Sequence, residues 1–144
     1  MTNVLHTLFL ITILLVVLLL TATAVPSLQG QPLGGIALLV HMMASGVLVF
    51  ALPIYGIVFL WRHIDVRVAS AMQRTGFWLV LVTGLATTAT VFACMLPIAS
   101  TETMHELIRW HGYAGFAMVP AVALLVWGVS RSRRIKSIRS ATPG

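Results

Sequence analysis

The amino-acid sequence predicts an all-α integral membrane protein, a four-helix bundle with up-down topology. Three observations carry that expectation. Of the 144 residues, 59% are hydrophobic and only 8% charged, where a soluble domain carries about 25% charged residues. Four stretches, residues 7–25, 34–61, 76–99 and 110–130, come to about the 20 apolar residues that a helix needs to cross hydrocarbon. The connectors between them are short, which packs neighbouring helices antiparallel. The chain is too short for several domains, so residues 1–130 read as one bundle and residues 131–144 as a basic tail.

The first segment ends in Ala22-Thr23-Ala24, which resembles a signal-peptidase site after an apolar core. No Lys or Arg precedes that core, so the segment reads as a retained spanning helix. The second and fourth segments hold Pro53 and Pro120. Each proline removes a backbone hydrogen bond and is expected to kink its helix. The third carries Thr83, Thr87, Thr90 and Cys94 at helical spacing. These hydroxyls either bond back to their own helix or reach the Nδ1 of a histidine, and Cys94 reads as a packing residue. Ahead of the fourth segment, Thr103-Met-His-Glu106 fits a capping box with Thr103 at the N-cap. Trp61, Trp78, Trp110 and Trp127 fall near segment ends, as an interfacial aromatic belt requires. Residues 137–144 read as disordered.

The formal charge of +6 comes from residues beside apolar segments, which points to membrane orientation and not to nucleic acid. Arg62, Arg67 and Arg74 follow the second segment, and Arg131, Arg133, Arg134, Lys136 and Arg139 follow the fourth. The opposite connectors hold only Arg109. Positive residues favour the cytoplasmic side, so both termini are expected there, in a bacterial inner membrane. The tail is expected to lie in solvent or against lipid headgroups. The single Cys excludes an internal disulfide framework and a Cys-rich zinc or iron–sulfur site. Asp65, Glu102 and Glu106 all lie outside the spanning stretches, which argues against a proton pump or ion-coupled transporter. No acid–base or nucleophile constellation appears, so the chain does not read as an enzyme on its own.

Histidine remains as the informative residue type, because ionisable groups at membrane depth are functional hypotheses by default. His41 lies seven residues past Gly34, about 10 Å into the second helix. With Thr103 as cap, His111 lies eight residues in, about 12 Å along the fourth. Both helices start on the same side, so the two imidazoles reach similar depth and are placed to grip one iron from opposite sides. Ala44, Ser45 and Gly46 follow the first, and Gly112, Ala114 and Gly115 follow the second. Small residues at these offsets either leave room for a flat macrocycle or allow tight helix packing. His105 points to a different face from His111 and reads as a surface residue. Its other reading is a hydrogen bond to a quinone headgroup or haem propionate, with Arg109 as charge partner for the propionate. His63 lies 22 residues beyond His41, on the same face but about 33 Å away. Together with His6 it forms a weaker pair for a second haem, because both positions look interfacial.

With these residues in view, the chain resembles the small b-type cytochrome membrane subunits. These include the membrane anchors of formate dehydrogenases and nickel–iron hydrogenases, and their stand-alone relatives. The resemblance rests on Val40-His41-Met42, on Ser45-Gly46, and on Trp110-His111-Gly112-Tyr113-Ala114-Gly115. It spans most of residues 1–130, chiefly through topology. It implies non-covalent haem b with His41 and His111 as axial ligands to the iron. It also implies electron transfer between a quinone pool and another membrane or periplasmic redox subunit. The family often holds a second haem through further deep histidines, and the fourth helix here has no second one. No Cys-x-x-Cys-His occurs, so covalent c-type attachment is excluded.

Two other functions compete with a haem-bearing electron carrier. One is a cofactor-free accessory subunit of a larger membrane complex, with His41 and His111 bonded across helices for about 1 kcal/mol each. The other is a copper-handling protein using His41, Met42, Met43 and His111, since imidazole and thioether suit Cu(I).

Overall fold

A computed structural model of the chain describes residues 2–28, 31, 33–66, 68–97 and 100–141. It contains four helices, α1 Thr2–Leu28, α2 Gly35–Ile64, α3 Ala71–Met95 and α4 Thr101–Ala141, and no strand among the described residues. Each is long and apolar enough to cross a membrane, so the lipid bilayer is their solvent. In that solvent a helix satisfies its own backbone donors and acceptors, which lets the β-branched and leucine-rich run of α1 stay helical.

The helices form a ring in chain order. Each packs against its sequence neighbours, α1 and α4 close the ring, and the backbones of the diagonal pairs α1–α3 and α2–α4 stay apart among the described residues. The partners run antiparallel. The start of α1 meets the end of α2 through His6 and His63, and the start of α3 meets the end of α4 through Gln73 and Gly128. We call the end that carries the two chain termini and the 65–70 connector the terminal end, and the opposite end the distal end.

The helix boundaries follow local chemistry. Gly35 takes φ +56 at the start of α2, a left-handed backbone that suits glycine. Ser70 caps α3, accepting from the Gln73 amide at 3.3 Å while Gln73 Oε1 accepts from the Ser70 amide at 2.9 Å. α3 ends at Met95, short of residue 99, and Ile98 and Ala99 lie outside the described residues. α4 begins earlier than the sequence suggests. Ser100 Oγ accepts from the Thr103 amide at 3.2 Å, so Ser100 is the cap and Thr103 lies inside the first turn. Glu106 does not reach back to a cap; it pairs with Arg109 at 2.8 Å. At the other end α4 continues to Ala141. The basic tail is therefore a helical extension over most of its length, where disorder was expected from residue 137. No Gly or Pro interrupts residues 131–141. Arg67, residues 142–144 and the side chains of Lys136 and Arg139 lie outside the described residues. The helices run on through Pro26, Pro53 and Pro120.

The core occupies the terminal half. Leu10, Ile13 and Val17 meet Leu48, Leu52, Tyr55 and Phe59, then Phe77 and Val80, then Met118, Val122, Leu125 and Val129. Glycine lets α3 and α4 close tightly there. A Cβ on Gly76 would lie 2.7 Å from the Leu125 backbone, and one on Gly128 would lie 3.0 Å from the Gln73 amide. Distal to Val17, Leu48, Gly84 and Met118, Ala44 is the one described residue that is buried. The ring is therefore filled at one end and loosely filled at the other.

Candidate functional site

The distal half continues the interior seams of the terminal half with smaller residues. On α4 the buried positions Leu125, Val122 and Met118 lead at helical spacing to Gly115 and His111. On α2, Leu52 and Leu48 lead to Ala44, Ser45 and His41. On α3, Phe77, Val80 and Gly84 lead to Thr87. A Cβ built on Gly46, Gly112 or Gly115 meets nothing within 4 Å. Bulky apolar side chains thus give way to Gly, Ala, Ser and Thr where the two histidines stand.

His41 and His111 sit on α2 and α4, diagonal helices of the ring. Both rings are half-buried, and each is held through Nδ1. The His111 Nδ1 lies 3.0 Å from the Thr87 carbonyl oxygen and 3.3 Å from Thr90 Oγ1. A carbonyl only accepts, so the proton of His111 is on Nδ1. The His41 Nδ1 lies 2.8 Å from Thr23 Oγ1. That hydroxyl donates to the Leu19 and Leu20 carbonyls at 2.9 and 3.0 Å. Its single proton is committed, so it accepts from His41 Nδ1–H. In a neutral ring held this way Nε2 carries the lone pair, the form in which imidazole ligates a metal. No described residue hydrogen-bonds to either Nε2.

The threonine stripe of α3 satisfies both of its readings. Thr83, Thr87 and Thr90 donate to the carbonyls of Leu79, Thr83 and Ala86 at 2.7, 2.8 and 2.9 Å, and Thr87 and Thr90 together also hold His111. Cys94 is a free, half-buried thiol. Thr23 was missed as a site residue. Its signal lay in the hairpin, because Thr23 and His41 stand nearly equidistant from the α1–α2 connector.

Other nominated residues lie elsewhere. His105 is exposed. Arg109 and Glu106 form an exposed ion pair on one helix. Met42 and Met43 are 58% and 68% exposed, so the four-residue copper set does not converge. Among the described residues no three His, Cys, Asp or Glu gather as a metal cluster.

His6 and His63 are not interfacial, as sequence position suggested. Each is 1% exposed, covered by aromatic rings from two helices. Their centroids are 5.7 Å apart at 30°. Phe77 stacks on His63 at 4.1 Å and 1°, and Phe59 meets His6 edge-on at 4.8 Å. The His63 Nδ1–H donates to the Phe59 carbonyl at 2.9 Å, and Arg74 Nε donates to the His63 carbonyl at 3.1 Å. Tyr55 Oη lies 3.4 Å from His6 Nε2, while His6 Nδ1 is buried with no described partner. A slot wide enough for a macrocycle between these rings would leave their facing surfaces accessible, and at 1% exposure there is none. The pair packs as core.

No protein-family model matches this sequence, and neither a curated protein nor a solved structure proves similar to it.

Proposed function

We propose that the chain is a membrane electron-transfer subunit that holds one haem b between His41 and His111. It passes electrons between a quinone pool and a partner redox subunit in a bacterial inner membrane, with both termini cytoplasmic. One observation carries this reading. The imidazoles of His41 and His111, on diagonal helices, are each tied at Nδ1 to a neighbouring helix, and no described residue hydrogen-bonds to either Nε2. The residues fit the group in kind, because Ser45 and Gly115 lie one helical turn from His41 and His111 and a Cβ on Gly115 would meet nothing within 4 Å. Bound there, haem b supplies a reversible one-electron couple. The chain's own part is to orient both rings through Thr23, Thr87 and Thr90, to exclude water with the surrounding helices, and to set the potential through burial and hydrogen bonding. The quinone and the partner subunit come from the resemblance to small b-type cytochrome membrane subunits. The orientation comes from Arg62, Arg74, Arg131, Arg133 and Arg134 at the terminal end against Arg109 at the distal end.

The test is optical. The purified protein is expected to show sharp Soret and α bands on dithionite reduction, and a pyridine haemochrome assay to give one haem per chain. His41→Ala and His111→Ala are expected to lose the bands, and His105→Ala to keep them. A colourless wild-type protein, or wild-type spectra from either ligand variant, overturns the reading.

A further inference from the structure

The two imidazoles are held by unlike acceptors. His111 donates to a main-chain carbonyl, that of Thr87, with Thr90 Oγ1 as a second and longer contact. No side-chain change removes that carbonyl. His41 donates at 2.8 Å to a side-chain hydroxyl on another helix, Thr23 of α1. The Thr23 hydroxyl is oriented by its own bonds to Leu19 and Leu20, so its lone pair is presented to the imidazole. Thr23 is the side-chain-borne acceptor of the His41 ring.

We propose that Thr23 is a positioning residue that tunes the redox potential of the site through His41, an inference that rests on haem being bound there. An acceptor on Nδ1–H makes the imidazole more basic and fixes its rotation. A more basic axial ligand favours the oxidised iron, so the Thr23 hydroxyl holds the potential down. The consequence is a division of labour. The α3–α4 hairpin supplies a ligand whose hydrogen bond sequence change does not abolish, and the α1–α2 hairpin supplies the one that a single side chain adjusts.

The experiment compares haem content and spectroelectrochemical midpoint potential in the wild type, Thr23→Val, Thr23→Ser and Thr90→Val. Thr23→Val keeps the shape and loses the acceptor. It is expected to move the midpoint to more positive potential and to weaken haem affinity by about 10-fold. Thr23→Ser restores the hydroxyl and is expected to return both to wild type. Thr90→Val leaves the Thr87 carbonyl in place and is expected to move the midpoint less than Thr23→Val does. Haem-loaded Thr23→Val at the wild-type potential overturns the proposal, as does Thr23→Ser behaving like Thr23→Val. Should Thr23→Val retain no haem, Thr23→Cys, whose thiol is a weaker acceptor, carries the same expected shift and the same refutation. A wild-type protein without haem overturns the functional reading itself, an outcome that none of the variants imitates.

Discussion

The terminal and distal halves of this bundle each present two histidines on interior seams, yet they treat them differently. At the terminal end His6 and His63 are 1% exposed and wrapped by Tyr55, Phe59 and Phe77. At the distal end His41 and His111 are half-buried, with small residues beside them and open space at Gly46, Gly112 and Gly115. The more completely buried pair is therefore the one without room beside its rings. A ligand needs a held ring, a free lone pair and room beside it, and complete burial removes the room. Depth in the membrane alone does not mark a cofactor site; what fills the neighbouring seam positions does.

The largest effect on that contrast is expected from emptying the filled end. Phe77 is fully buried and stacks on His63 at 4.1 Å. Phe77→Ala removes that ring from a close-packed cluster, and such truncations cost about 3–5 kcal/mol. The measurement is thermal or denaturant unfolding of the protein in detergent, followed by helical circular dichroism. A loss below about 1 kcal/mol, small for a core truncation, would mean that the terminal half is not the rigid half.

A second comparison places one substitution at each end. Ala has a better helix propensity than Gly by about 1 kcal/mol, and that gain is common to Gly76→Ala and Gly115→Ala. At Gly76 the new Cβ lies 2.7 Å from the Leu125 amide nitrogen and Cα, both main-chain atoms that cannot swing aside. α3 and α4 must part, and overpacking of this kind costs about 1–3 kcal/mol. At Gly115 the Cβ meets nothing within 4 Å, so Gly115→Ala is expected to be neutral or slightly stabilising. Unfolding midpoints of the two variants give the difference directly. If haem binds beside His111, the larger Gly115→Leu is expected to lower its retention, because the added side chain extends one helical turn from that ring.

How far the sequence speaks follows the same division. The four apolar runs made the helices legible, since length and hydropathy alone determine what crosses a bilayer. The start of α4 was misjudged because Thr103 and Ser100 are both good caps, and the choice depends on where the chain leaves α3. The placement of His41 and His111 inside helices could be read from their distance to the segment starts. The contact of Thr90 with His111 could be read from the threonine stripe. For Thr23 the hairpin gave only the matched height with His41, and the rotation of α1 that turns its hydroxyl to the ring is set by packing. The burial of His6 and His63 was hidden for a related reason. Near a segment end they look interfacial, and only the convergence of Tyr55 and Phe59 from α2 and Phe77 from α3 covers them.

Haem removal tests the same contrast through the single cysteine. Cys94 is a free, half-buried thiol near the distal end of α3, beyond the residues that hold His111. If the cofactor bridges the α1–α2 and α3–α4 hairpins where side chains do not, its extraction loosens the distal half only. Maleimide labelling of Cys94 is expected to be faster in haem-depleted than in haem-loaded protein. A cysteine introduced at Ala69, buried at the terminal end, is expected to label at one slow rate in both. Equal rates at Cys94 in the two states would show that the distal end is closed without a cofactor.

The smallest effects are expected on the polar first turns of α4. Arg109 and Glu106 are 59% and 51% exposed in their side chains and lie 2.8 Å apart on one helix. Exposed pairs of this kind contribute about 0–1 kcal/mol, and salt screens them. Arg109→Gln and His105→Ala are therefore each expected to leave the unfolding midpoint and the haem content near wild type. Titration of haem into the depleted protein separates the roles more finely than stability does. A guanidinium that met a propionate would lower the affinity for haem when removed, and would do so less at high salt. Unchanged affinity in Arg109→Gln confines that residue to its pairing with Glu106. A salt-dependent fall would instead bring the distal turns of α4 into the cofactor site.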